Sequence, residues 1–138
     1  MSDANKTVVK RFVHELFVKG NLDVVDEFVA DDYVDHTPPP DVPPGRAGLK
    51  QLATMFRNGF PDLAISEEDL IAEGDKVVMR QITTGTHQGD FMGIAATGKK
   101  ITVNEIHIVR LADGKIVEHW GVEDNLGMMQ QIGVVDGP

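Results

Sequence analysis

Two strands with alternating side chains, joined by a tight turn, constrain this chain more than any other feature of its sequence. Residues 100–111 and 115–124 each alternate between apolar and polar side chains, and Asp113 and Gly114 lie between them. Such alternation places every second side chain on the same face of a strand. Aspartate followed by glycine is typical of a two-residue hairpin turn, which predicts that Leu111 pairs with Ile116.

The predicted hairpin carries titratable side chains on its apolar face. Continued along both strands, the register places His107 opposite Trp120. The same face also holds three carboxylates: Glu105, Glu118 and Asp124. A charged group is costly to bury unless it is paired or used in function. This face therefore predicts a polar cluster that either stabilises the core or forms a functional site.

Helical and extended patterns divide the rest of the chain into two parts. Apolar residues recur at helical spacing over three N-terminal stretches, 7–18, 22–29 and 45–58. From residue 62 onward the pattern favours strands, over 63–72 and 76–86, followed by the hairpin and a final helix over 125–132. Helices followed by a run of strands are typical of an α+β domain with an antiparallel sheet. A curved sheet closed by the helices would enclose one concave pocket, the usual position of a ligand site.

Two further segments are predicted to be loops. The stretch from residue 37 to residue 45 contains five prolines, which forbid a helix and favour a stiff surface segment. Residues 87–99 are rich in glycine and small side chains. Both loops adjoin predicted strands, so either one can border the pocket.

The composition of the chain argues against several classes of function. The 138 residues are enough for one domain, 1–138, with a sizeable core. The 13 basic residues are outnumbered by 22 acidic ones, which argues against nucleic acid or an anionic membrane as a partner. Without cysteine there is no thiol nucleophile and no thiolate metal site. Neither a signal peptide nor an apolar run of about 20 residues is present, so we expect a cytoplasmic protein.

His107 and Asp124 are the strongest candidates for catalysis, and each has a structural alternative. His107 can act as a base, an acid or an oxyanion donor, or it can be a core histidine satisfied by a neighbour. Asp124 can be a general acid/base at the pocket mouth, or it can cap the final helix. The two roles of Asp124 predict opposite pKa shifts, because a helix N-terminus lowers the pKa of a carboxyl and burial raises it.

Each of the other polar candidates also has a functional and a structural interpretation. Trp120 is a pocket wall that could support a flat ligand, or a core residue. Glu105 and Glu118 are pocket carboxylates unless a strand end or a bulge turns them outward, which we favour for Glu118. Arg80 lies in mid-strand and either pairs with one of these acids or faces solvent.

The remaining histidines are scattered. His36 precedes the proline loop and His87 begins the glycine-rich loop, so both are candidates for the pocket rim. His14 and His119 are expected to be structural or solvated, with His119 pointing away from the Trp120 face. Their spacing matches no metal motif, and the chain has no P-loop, no HExxH and no GxSxG.

The C-terminal segments EHWGVED, at 118–124, and LGMMQQIG, at 126–133, resemble those of the SnoaL-like polyketide cyclases, or ester cyclases. The resemblance extends over the first helix, residues 33–36, the third helix and the FPDL at 60–63. It implies a cone-shaped α+β fold of the nuclear transport factor-like superfamily. In that fold a curved antiparallel sheet, closed by three N-terminal helices, encloses a pocket.

The resemblance also implies a function. The expected reaction is the intramolecular aldol cyclisation of a small, polyketide-like carbonyl compound, without metal or cofactor. Asp124 would be the general acid/base and His107 its pocket partner. The expected substrate-binding residues are Trp120, Glu105, His36, Arg80 and His87. The protein is expected to be a homodimer or homotetramer.

Two alternatives to this function stay open. One is another lyase, isomerase or hydratase that acts on a small apolar carbonyl compound, and the other is a non-catalytic binding protein of the same fold. The predicted register also raises a geometric question. His107 and Asp124 lie four residues apart along the strands, roughly 13 Å at about 3.3 Å per residue. They can share one substrate if curvature or a bulge draws them together.

Overall fold

Helices occupy the first half of the chain and strands most of the second half, in a computed structural model that describes residues 2–135. The helices are α1 (Ser2–Val13), which continues as a π-helical segment (His14–Val18), α2 (Asp23–Phe28), α3 (Gly45–Gly59) and α4 (Asn125–Gln131). The strands are β1 (Val29–Asp35), β2 (Ala64–Glu73), β3 (Lys76–Thr86), β4 (Lys100–Ala112) and β5 (Lys115–Glu123). No helix in this part of the chain has the length and apolarity needed to cross a membrane.

The five strands form one sheet in the order β1-β5-β4-β3-β2, with helices at its inner face. The predicted α+β class and curved sheet are confirmed. The expectation of a purely antiparallel sheet is wrong at one edge, because β1 pairs with β5 in parallel. A parallel pair needs a long connection, and here α3 and the three intervening strands provide it.

The hairpin between β4 and β5 begins as predicted. Asp113 and Gly114 have positive φ angles of 53° and 77°, which a two-residue turn of this type requires. Leu111 pairs with Ile116, the pairing expected from the turn.

A bulge then changes the register. Arg110 pairs with Glu118, so Val117 is an extra residue on β5. Beyond it every pairing is displaced by one residue, and His107 lies opposite Gly121. The predicted pairing of His107 with Trp120 is therefore wrong, because a one-residue slip exchanges the two faces of a strand.

The apolar core has two parts. The larger part lies between the N-terminal helices and the sheet, and includes Leu16, Val25 and Val29, all completely buried. The smaller part surrounds Phe60 below the loop of residues 87–99, where Phe91 meets it edge-to-face at 5.1 Å between ring centroids. A cavity remains between the helices and the sheet.

Phe60 offers a test of this packing. It is completely buried, and removal of its ring would leave a cavity next to Phe91. We expect Phe60→Ala to lower the free energy of unfolding by about 3–5 kcal/mol, measured by urea denaturation. Leu126→Ala, at an exposed position of α4, is the control and should change the free energy by less than about 0.5 kcal/mol. Equal effects of the two substitutions would contradict the described core.

Candidate active site

The cavity between the helices and the inner face of the sheet has an apolar helical side and a strand side where polar and apolar side chains mix. Its volume, with the open mouth, is about 890 Å³. The helices contribute apolar side chains, among them Val9, Phe12, Phe17 and Leu52. The strands contribute the polar ones: Asp35, Gln81, Thr83, Glu105, His107, His119 and Glu123. An apolar molecule with polar groups along one edge fits this distribution.

Four of the polar side chains form a continuous hydrogen-bonded chain across β1, β5 and β4. His119 Nδ1 lies 2.9 Å from Asp35 Oδ1, and His119 Nε2 lies 2.8 Å from His107 Nδ1. His107 Nε2 lies 2.7 Å from Glu105 Oε1. We call these four residues the Asp35–Glu105 chain.

The three hydrogen bonds of the Asp35–Glu105 chain require three protons. If each neutral imidazole donates to its own carboxylate, the two remaining ring nitrogens face each other with lone pairs at 2.8 Å. A third proton is needed to make that contact a hydrogen bond. It makes one of the imidazoles cationic, or one of the terminal carboxyls neutral, and it can be redistributed along the chain.

Gly121 makes room for the two histidines. It lies opposite His107 on β5, and a Cβ at this position would come within 2.6 Å of His107 Nδ1 and 3.0 Å of His119 Cε1. The rings stack at 5.1 Å between centroids, so any larger side chain would separate them. The glycine is required here for space and not for its backbone conformation.

Glu123 is the second carboxyl beside His107. Because of the bulge it lies directly opposite Glu105. Burial raises the pKa of Glu123, and the charge of Glu105 raises it further, while His107 acts in the opposite direction. Two close carboxyls in a partly buried site favour a shared proton, since both cannot ionise freely.

At the other end of the chain the carboxyl of Asp35 is held ionised. Burial alone would raise the pKa of Asp35, but hydrogen bonds from His119 and from the backbone and hydroxyl of Thr37 outweigh it and lower the pKa. Burial, followed by the nearby charge of Asp35, raises the pKa of Tyr33, so this cavity-lining phenol stays protonated. The cavity thus combines an acid with a lowered pKa, an acid with a raised pKa and a neutral phenol.

Of the residues predicted for the site, the structure brings Glu105 and His107 into the cavity. Asp124 is exposed and is not among the residues that line it. Its Oδ1 accepts a hydrogen bond of 2.9 Å from the backbone N–H of Gly127, as the N-cap of α4. Its capping role is confirmed, and its catalytic role stays a prediction.

Trp120 and His36 meet on the outer face of the sheet. Their rings stack at 4.7 Å between centroids with an interplanar angle of 6°, and Lys76 Nζ lies 5.6 Å from the Trp120 ring. His36 Nε2 also lies 2.7 Å from the carboxylate of Glu118, which accepts from Arg110 as well. The bulge is the reason for this placement of Trp120, which we had expected in the pocket wall. The expected outward position of Glu118 is confirmed.

Arg80 and His87 also lie away from the cavity. Arg80 donates to Asp69 at 2.7 Å in an exposed pair on the outer face. His87 is completely buried next to Phe60, and its Nδ1 accepts from the backbone N–H of Thr97. Through these contacts, His87 holds the glycine-rich loop in place.

Sequence reasoning missed three residues of the site: Asp35, His119 and Glu123. All three depend on β5, either through its register or through its pairing with β1. One signal was available, because the adjacent apolar residues Ile116 and Val117 interrupt the alternation at the position of the bulge.

Glu105, His107 and Glu123 could also hold a divalent cation. One ligand atom from each lies within 4.8 Å of the others. Two carboxylates and one imidazole suit several divalent metals, and His119 would orient His107 from behind.

Comparison with known proteins identifies the family. The model of the SnoaL-like polyketide cyclases matches residues 7–132. The chain belongs to the SnoaL-like polyketide cyclase family. It is 31% identical to the aklanonic acid methyl ester cyclase DauD of Streptomyces sp. strain C5, over 91% of this chain and 80% of DauD.

Two further relatives support this SnoaL-like assignment. The nogalonic acid methyl ester cyclase of Streptomyces nogalater is 31% identical, over 85% of this chain and 89% of that protein. The structure of TsrD from Streptomyces laurentii superposes with a TM-score of 0.87 at 27% identity, covering 98% of this chain and 99% of TsrD.

The raised pKa of Glu123 predicts a pH-dependent effect on stability. The folded protein binds this proton more tightly than the unfolded chain, so stability falls as the pH rises from about 4.5 through the folded-state pKa. Glu123→Gln removes this loss. We expect its melting temperature to match the wild type near pH 4 and to exceed it by several degrees at pH 8, measured by calorimetry. Glu73→Gln, at the exposed end of β2, is the control. A pH-independent difference would contradict the raised pKa.

Proposed function

We propose that this SnoaL-like chain catalyses a cofactor-independent intramolecular aldol cyclisation of an uncharged, polycyclic carbonyl compound. The observation that carries the proposal is the juxtaposition of Glu123 with the Asp35–Glu105 chain at the polar edge of an apolar cavity. The names of the relatives support it, since DauD and its counterpart from Streptomyces nogalater are cyclases of methyl esters.

The reaction needs only movement of a proton and a suitable shape. A base removes a proton from a carbon flanked by carbonyl groups, and the carbanion attacks a ketone carbon of the same molecule. A carbon–carbon bond forms, the ketone becomes an alkoxide, and the alkoxide takes up a proton. No atom leaves and no electron acceptor is required, so the reaction is of lyase or isomerase type.

We assign the proton transfer to Glu123. As a carboxylate it accepts the proton from carbon, and as a carboxylic acid it returns the proton to the alkoxide. A raised pKa suits both steps, because it makes the carboxylate a stronger base and extends the pH range over which the acid form is available. The Asp35–Glu105 chain adjusts the charge beside it by shifting its own proton.

The charge of the cavity favours an esterified substrate over a free acid. Three carboxyls line it, Asp35, Glu105 and Glu123, and no lysine or arginine is among the described lining residues. A substrate carboxylate would meet like charge in a site of low dielectric. A methyl ester removes that repulsion and keeps the carbonyl that acidifies the neighbouring carbon.

Exchange of Glu123 and of its neighbour Asp124 tests the assignment. With aklanonic acid methyl ester as substrate, we expect Glu123→Gln to lower kcat by about 10² to 10⁴. Asp124→Asn should stay within a few fold of the wild type, because asparagine caps a helix as well as aspartate does. Product formation is measured by chromatography, and substrate affinity by equilibrium dialysis. Normal turnover by Glu123→Gln together with loss in Asp124→Asn would return the role to Asp124.

Ligand binding without turnover is the second candidate function. Its support is the position of Asp124, which caps α4 and does not reach the cavity. The same experiment separates the two functions. Tight binding of the methyl ester by the wild type, with no product over hours, would favour a binding protein.

We also propose that two copies pair through the outer face of the sheet. Ile106 and Val122 are cross-strand neighbours there, at 49% and 75% exposure, and Ile108 and Trp120 form the next pair. Contiguous apolar pairs at the centre of a sheet favour association with a like surface.

The oligomeric state tests this pairing. Light scattering at micromolar concentration should give a dimer mass or a multiple of it, and Val122→Glu should give the monomer. Glu67→Gln, on β2, is the control and should keep the wild-type mass. A monomeric wild type would refute the pairing.

A further inference from the structure

Two polar side chains of β3 lie in the cavity wall with atoms that no other described residue satisfies. Gln81 and Thr83 are 5% and 4% exposed, and both line the cavity. Gln81 Oε1 and Thr83 Oγ1 have no hydrogen-bond partner within residues 2–135. Buried polar groups are paired in most native proteins, so two such atoms side by side point to a ligand.

The orientation of the Gln81 amide is set by its neighbour. Gln81 Nε2 donates to Glu105 Oε1 at 3.1 Å. This hydrogen bond turns the amide nitrogen toward Glu105 and leaves the amide oxygen facing elsewhere. Gln81 therefore offers the cavity an acceptor and requires a donor.

The surroundings of Thr83 are apolar. Its cross-strand neighbours are Ile65 on β2 and Val103 on β4, and neither can form a hydrogen bond through its side chain. Its hydroxyl can donate or accept. Glu67, which pairs with Gln81 across the strands, also has an unsatisfied oxygen, Oε2.

We propose that Gln81 and Thr83 are a specificity site for a hydroxyl group on the ring system of the substrate. Inward side chains of one strand repeat at about 6.6 Å, so one hydroxyl between them can donate to Gln81 Oε1 and accept from Thr83 Oγ1. This inference rests on the proposed function only in placing a ring system in the cavity. It adds that the ring carries a hydroxyl close to the reacting edge, since Gln81 is bonded to Glu105.

A pair of ligands that differ in one group tests the site. 2-Naphthol and 2-methylnaphthalene have the same shape, with a hydroxyl in place of a methyl group, and their affinities are measured by equilibrium dialysis. We expect the wild type to bind 2-naphthol about tenfold more tightly. Thr83→Val keeps the shape of the side chain, so it should remove most of this preference through weaker 2-naphthol binding alone. Gln81→Met should do the same.

The matched control is Thr84→Val, the same exchange at the next residue of β3, on the exposed face. It should keep the wild-type preference. Melting temperatures confirm that the variants are folded, and Thr83→Val should be at least as stable as the wild type because its hydroxyl has no partner to lose.

Three results would overturn the inference: equal wild-type affinities for the two ligands, an unchanged preference in both Thr83→Val and Gln81→Met, or no binding of either ligand. Turnover is not measured, so the proposed function is tested separately. A protein that shows the hydroxyl preference but does not cyclise the methyl ester would contradict the proposed function alone.

Discussion

The extra residue Val117 in β5 is the constraint on which the chemistry of the cavity depends. A strand has only two faces, so one inserted residue exchanges them for everything that follows. His119 and Glu123 consequently face the cavity, and Trp120 faces outward. Without the bulge the inner face would carry a large indole and no second carboxyl opposite Glu105. Because the strand changes register between the turn and the site, apolar side chains near the turn and polar side chains at the site both face inward.

In this cavity the surroundings of each carboxyl, and not its residue type, set the direction of its pKa shift. Asp35 is surrounded by donors, which lower its pKa in spite of burial, whereas burial and the facing carboxyl of Glu105 raise the pKa of Glu123. The two imidazoles between Asp35 and Glu105 join these environments through hydrogen bonds of 2.7 to 2.9 Å. Acid and base functions commonly arise from such a separation of pKa values within one site. Gly121 is part of this arrangement, since its missing side chain allows the rings to approach.

Local patterns in the sequence predicted the features that depend on local interactions. The third helix, strand β3, the Asp113-Gly114 turn and the Asp124 cap all follow from spacing or from a single turn or cap residue. Glu105 and His107 could be placed because β4 is regular over its length. His119, Glu123 and Asp35 could not, because their positions depend on the β5 bulge and on the parallel pairing of β1, which is distant in sequence. Motif resemblance identified the family but directed attention to Asp124, next to the residue that lies in the cavity.

The outer-face stack of Trp120 and His36 has a spectroscopic consequence. Trp120 is the only tryptophan of the chain, and the sheet separates it from the cavity. Its indole ring lies flat against the His36 imidazole, with 4.7 Å between the ring centroids. The tryptophan emission of this protein therefore reports on the surroundings of this ring stack and on whatever covers the outer face of the sheet. A ligand can fill the cavity and leave that emission unchanged.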